Sequence, residues 1–136
     1  MTVKKKPPYT VLVVEDVPGL VRAITAHLTK IGCTVRSAST VDDAIQILES
    51  NDPPIDFVWL DHYLPEKNGI ELLHYLKDNK EHPEFASIPV FLVSNTVTEE
   101  KTRAYLSLGA DGYYLKAKKS LEEISKDLIA RIEAGN

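Results

Sequence analysis

Five short runs of apolar and β-branched residues alternate, in strict order, with five stretches whose apolar residues recur at helical spacing. Strands separated by helices need crossover connections, and such connections lay the strands parallel with helices packed on both faces. Thr10–Val14 reads as a strand buried on both sides. Pro18 suits the first turn of a helix striped by Leu20, Ile24, Leu28 and Ile31 and closed by Gly32. Cys33–Ser37 is a second strand, and Thr40 with Asp43 opens a helix striped by Val41, Ala44, Ile45 and Leu48. After the turn at Asn51–Pro54, Ile55–Leu60 is a third strand. Pro65–Gly69 is a loop leading to a helix on Ile70, Leu73 and Leu76. Ile88–Val93 is a fourth strand, with Pro89 tolerated near its start. Thr96 and Glu99 open a fourth helix carrying Val97, Ala104 and Leu108 and stopped by Gly109. Tyr113–Leu115 is a fifth strand, and Ser120 with Glu123 caps a last helix that turns Leu121, Ile124, Leu128 and Ile132 inward.

A chain of 136 residues holds one domain of this kind, and 43% apolar against 26% charged residues fits a packed core without staples. Residues 1–8 are expected to be a flexible basic arm, 9–133 the folded domain and 134–136 a tail. The net charge of −4 argues against nucleic-acid binding by bulk charge. Cys33 is the single cysteine and reads as a small buried hydrophobe. Lys4, Lys5 and Lys6 run into Pro7 and Pro8 rather than into an apolar segment, which is not a secretory leader. No apolar run is long enough for a bilayer, so the expectation is a cytoplasmic protein without membrane association.

Sites in open parallel sheets form at the carboxyl ends of the strands. There the first strand runs into Glu15 and Asp16, the third into Asp61, the fourth into Ser94 and the fifth into Lys116. Each acid alone is explained by helix capping, but capping does not account for three carboxylates, a hydroxyl and an ammonium on one edge. Clustered carboxylates repel unless a cation intervenes, and hard oxygen ligands with room for water suit Mg²⁺. Lys116 can hold Asp61 ionised, Ser94 can donate to an anion, and a carboxylate so placed can act as a nucleophile toward phosphorus.

These residues resemble a known family. L-V-V-E-D at Leu12–Asp16, W-L-D-H-Y-L-P-E-K-N-G at Trp59–Gly69, I-P-V-F-L-V-S-N at Ile88–Asn95 and G-A-D-G-Y-Y-L-K at Gly109–Lys116 are similar to the receiver domains of response regulators in two-component signalling. The resemblance covers about Tyr9 to Ile132 and implies a flavodoxin-like, doubly wound, five-stranded parallel sheet of strand order 2-1-3-4-5. It implies that Asp61 accepts a phosphoryl group and that Glu15, Asp16, Asp61 and the main-chain carbonyl of Tyr63 hold Mg²⁺. It also implies that Ser94 and Lys116 bind the phosphoryl group, that Ser94 and Tyr113 form the switch, and that Tyr63 and Thr96 tune hydrolysis. The implied partners are a histidine kinase or histidine phosphotransfer protein and a downstream protein target on the face of the fourth helix, fifth strand and fifth helix. A homodimer through that face is left open. The expectation is a stand-alone signalling receiver rather than an enzyme, catalysing only its own phosphorylation and dephosphorylation.

Ala117 stands where the family commonly has a proline behind a cis peptide; a cis bond before alanine would cost about 3–4 kcal/mol. His62 reads as a surface histidine at the rim of the site, because neighbours along a strand point to opposite sides, and Trp59 as a core residue. Three rival readings remain, the first a receiver whose switching is degenerate, given the unusual Lys116–Ala117 junction. A Mg²⁺-dependent phosphatase of the haloacid-dehalogenase kind would want an acid where Tyr63 stands. A flavin or nucleotide binder would want a phosphate loop where Glu15-Asp16-Val17-Pro18 would repel a phosphate.

Overall fold

Every residue of three chain segments is withdrawn from water: β1 (Thr10–Val14), β3 (Phe57–Leu60) and β4 (Val90–Ser94). A strand with no solvated face must be covered on both sides, and the rest of the chain does so. The computed structural model describes residues 8–95 and 98–135. Around the buried strands it places α1 (Pro18–Lys30), β2 (Thr34–Ala38), α2 (Val41–Ser50), α3 (Gly69–Lys77), a 3₁₀ turn (Pro83–Ser87), α4 (Glu99–Ser107), β5 (Gly112–Leu115) and α5 (Leu121–Glu133). All four strand pairs are parallel, in the order β2-β1-β3-β4-β5. The edge strand β2 is half solvated, which is why its period reads less cleanly than that of β1.

The two-residue pleat divides the core. Val11, Val13, Phe57, Trp59, Phe91 and Val93 face α1 and α5, whose Ile24, Leu28, Ile124, Leu128 and Ile132 cover them. Leu12, Val14, Val58, Leu60, Val90 and Leu92 face Ala44 and Leu48 of α2, Leu72, Leu73 and Leu76 of α3, and Tyr105 of α4. Cys33 is buried in the first of these layers, as its neighbours imply.

Helix starts follow the expected chemistry with one exception. The Thr40 side chain accepts from the Asp43 N–H, and Ser120 and Glu123 form a reciprocal capping box. Asn68 caps α3 by accepting from the Ile70 N–H. The exception is α4, where the cap is Thr98, accepting from the Lys101 N–H. Thr96 and Val97 lie outside the described residues, as does the basic arm through residue 7. Ala104 is exposed and Tyr105 takes the buried position. α4 carries so few apolar residues that its pattern hardly marks the inward face, and the one-residue shift moves the inward position by about 100°. Among the described residues the cis peptide is Asp52–Pro53, and the Lys116–Ala117 bond is not cis. No helix among them is long and apolar enough to cross a membrane.

Candidate functional site

The parallel register carries chemistry-bearing residues to one edge of the sheet. Just past the strand ends, the Glu15 N–H donates to the Ala38 carbonyl at 3.0 Å and the Asp61 N–H to the Val14 carbonyl at 3.0 Å. The Lys116 N–H donates to the Ser94 carbonyl at 2.9 Å, so Lys116 and Ser94 are tied through the main chain. Glu15, Asp16 and Asp61 each place a carboxylate oxygen within 4.8 Å of the others. Asp16 is exposed, whereas Glu15 and Asp61 are buried. Beside them a cleft of about 390 Å³ opens between α1 and β2, with Pro18, Arg22, Ser39 and Asp43 in its wall.

Lys116 lies inside this cluster. Its Nζ is 2.6 Å from Glu15 Oε1 and 3.4 Å from Asp61 Oδ2. The ammonium was expected beside Asp61; it contacts both acids and is nearer Glu15. The physical reason is burial: the Glu15 side chain has no exposed surface while that of Asp61 keeps 9%, so the deeper charge is the costlier one to leave unpaired. The second Glu15 oxygen accepts from the N–H groups of Asp16 at 3.0 Å and Val17 at 3.2 Å. Burial nonetheless pushes the Glu15 carboxyl above its usual range, with Asp61 adding to the shift and Lys116 opposing it.

Ser94 ends β4 fully buried, and its Oγ has no hydrogen-bond partner among the described residues. A buried hydroxyl in that condition is uncommon. Tyr63, two residues after Asp61, donates its N–H to Asp61 Oδ1 at 3.4 Å. Its ring is half exposed, under Lys101 of α4, whose Nζ donates to the Tyr63 hydroxyl at 3.0 Å and stands 4.7 Å from the ring centre. Tyr113 on β5 is 45% exposed and points away from the core. Thr96 lies outside the described residues.

His62 is not at the surface. It is 7% exposed, with Nδ1 2.6 Å from the Tyr105 hydroxyl and its ring edge-on to Tyr63 and Tyr105. The alternation rule applies within a strand, and His62 lies beyond the last residue of β3, where the chain turns under α4. Burial, with Lys101 nearby, holds its pKa below the usual histidine value. Local pattern marks neither Tyr105 nor Lys101 as part of the site, since both contacts are made across 38 residues or more.

A doubly wound parallel sheet with acids after β1 and β3, a buried hydroxyl ending β4 and a lysine after β5 defines a receiver-type fold with an acidic carboxyl-edge site. Residues 11–128 match the family profile of the response regulator receiver domain, and the chain belongs to that family. It is 37% identical over 112 residues to the nitrate/nitrite response regulator protein NarL of Escherichia coli K12, covering 80% of this chain and 48% of NarL. The chain spans about half the length, or less, of the curated relatives it matches. Among solved structures, a two-component response regulator from Clostridium difficile superposes with a TM-score of 0.81 at 18% identity, over 94% of this chain and 98% of that one. The Mn²⁺-bound form of response regulator Rcp1 gives a TM-score of 0.73 at 25% identity, over 93% and 91%. Receiver domains are signalling modules, and that is the class of this chain.

Proposed function

We propose that this chain takes a phosphoryl group onto Asp61 from a phosphohistidine of a histidine kinase or histidine phosphotransfer protein, in a Mg²⁺-dependent reaction. The observation that carries the reading is the acid cluster with Lys116 inside it, together with Ser94, tied to Lys116 through the main chain, whose buried hydroxyl has no partner among the described residues. Three hard carboxylates within one ion's reach fit Mg²⁺: Glu15, Asp16 and Asp61, with the Tyr63 carbonyl, would hold it, and its charge would offset that of the transferring group. An Asp61 oxygen attacks phosphorus; the new P–O bond forms as the P–N bond to imidazole breaks, and the imidazole keeps the electron pair. Lys116 and Ser94 then bind the phosphoryl oxygens through charge-assisted hydrogen bonds.

On this reading Ser94, drawn toward the phosphoryl group, lets Tyr113 turn inward, and the face of α4, β5 and α5 changes for a downstream protein. Tyr63 and Thr96 flank the acyl phosphate, and the bulk of Tyr63 slows attack by water. Residues 9–133 form the receiver, acting in the cytoplasm. Incubating the chain with acetyl phosphate and Mg²⁺ and weighing it by intact-mass spectrometry tests the claim. Wild type gains one phosphoryl group and Asp61→Asn none; equal gain by both, or no gain by wild type, overturns it.

A further inference from the structure

α4 enters the core through one residue. Tyr105 is fully buried, and it is the only residue of α4 that is. Its ring packs in the layer that holds Leu60, Leu72 and Leu73, and its hydroxyl ends on the acceptor loop, 2.6 Å from His62 Nδ1. Around that contact the loop has no slack. The Gly69 N–H donates to the His62 carbonyl at 3.0 Å, closing the loop from Asp61 to Gly69. A Cβ on Gly69 would stand 2.6 Å from the Tyr105 hydroxyl and 2.7 Å from the Asp61 carbonyl oxygen. Asp61, His62, Gly69 and Tyr105 thus form one packed unit, in which the residue directly after Asp61 is bonded both to the far end of its own loop and to α4.

The hydrogen bond joins two buried groups, so either partner left alone bears the full cost of an unsatisfied polar atom. The pair therefore favours one arrangement of loop and helix over intermediate ones. This contact is separate from the Ser94–Tyr113 switch proposed above, whose residues lie on β4 and β5.

We propose that the buried His62–Tyr105 hydrogen bond links the acceptor site to α4, beside the half-exposed Tyr63–Lys101 contact, and that through it a displacement of the Asp61–Gly69 loop on loading reaches the helix. The inference rests on Asp61 being the phosphoryl acceptor. The test is hydrogen–deuterium exchange of the full chain with and without acetyl phosphate and Mg²⁺, with phosphoryl occupancy weighed in the same samples and the exchange normalised to it. Exchange in α4 of wild type changes about fivefold on loading. In Tyr105→Phe and in His62→Phe the change per loaded molecule falls below about twofold, and the double variant adds nothing to either single one. A wild-type α4 response in either folded variant overturns the proposal, as does loading of wild type with no α4 response. Failure of both variants to fold assigns the contact a structural role alone and also overturns it. A wild type that takes no phosphoryl group overturns the acceptor reading instead.

Discussion

Lys116 and Glu15 stand 101 residues apart in the chain and form an ion pair of 2.6 Å in which neither side chain is more than 7% exposed. Breaking one partner of a buried pair strands the other charge. Lys116→Met is expected to destabilise the metal-free protein by about 3 kcal/mol at mildly alkaline pH. The Glu15 carboxyl already lies above its usual range, and losing the lysine raises it further. With a folded pKa above the unfolded one, stability is greatest below the unfolded value and falls as pH rises through the folded one. The deficit of Lys116→Met therefore shrinks toward acid, and urea titrations across pH show whether it does. Added Mg²⁺ stabilises this variant more than wild type, since no ammonium competes for the carboxylates.

Ser94→Ala removes a buried hydroxyl that has no partner among the described residues. The substitution is expected to change the unfolding free energy by less than about 0.5 kcal/mol, because no hydrogen bond is lost from the unphosphorylated protein. Its effect falls on the loaded state, where the Tyr113 environment no longer responds to acetyl phosphate. A large loss of stability in urea would contradict this assignment.

Gly69→Ala forces a methyl group against the Tyr105 hydroxyl and the Asp61 carbonyl. The expected cost is about 1–3 kcal/mol. Tyr105→Phe in that background removes one of the two clashes and recovers part of the loss, leaving the backbone contact. Urea midpoints of the two single variants and the double variant measure the coupling.

The Cys33 thiol is pushed up to about 11 by burial, with Asp56 contributing. Between the ordinary thiol value of 9.0 and about 11 the unfolded chain loses this proton while the folded chain keeps it, so stability falls as pH rises through that window. Near neutrality the thiolate fraction of the folded protein is on the order of 100-fold below that of an unburied thiol. A thiolate-selective reagent should label Cys33 quickly only after urea is added.

Tyr63→Ala opens the approach to Asp61. The phosphoryl lifetime is expected to shorten by a factor on the order of 3–10, a barrier change within about 1.4 kcal/mol. Lys101→Ala, which releases the Tyr63 ring, moves the lifetime the same way by less. Decay of the phosphoprotein after removal of acetyl phosphate reads both, and an unchanged lifetime in Tyr63→Ala counts against the shielding role.

The sheet and all five helices were legible, because β1, β3 and β4 are largely apolar runs and every helix but α4 carries a clear stripe. The acids, Ser94 and Lys116 were legible because strand ends locate them and the parallel register brings strand ends together. What escaped the reading depends on α4. With one buried side chain its inward face has no stripe, so Ala104 read as core and Tyr105 did not. His62 escaped for a related reason: its ring is buried by a tyrosine 43 residues away, and nothing beside it in the chain announces that partner.

The single anchor of α4 also sets how much work is needed to loosen that helix. Peeling it from the sheet exposes one aromatic ring, on the order of 1.5–3 kcal/mol of burial, where α5 would expose Ile124, Leu128 and Ile132 together. A hydrogen bond to a charged group contributes about 1.5–3 kcal/mol. One or two bonds made at a single carboxylate are thus matched in size to the apolar part of the hold on α4, and fall short of what α5 buries.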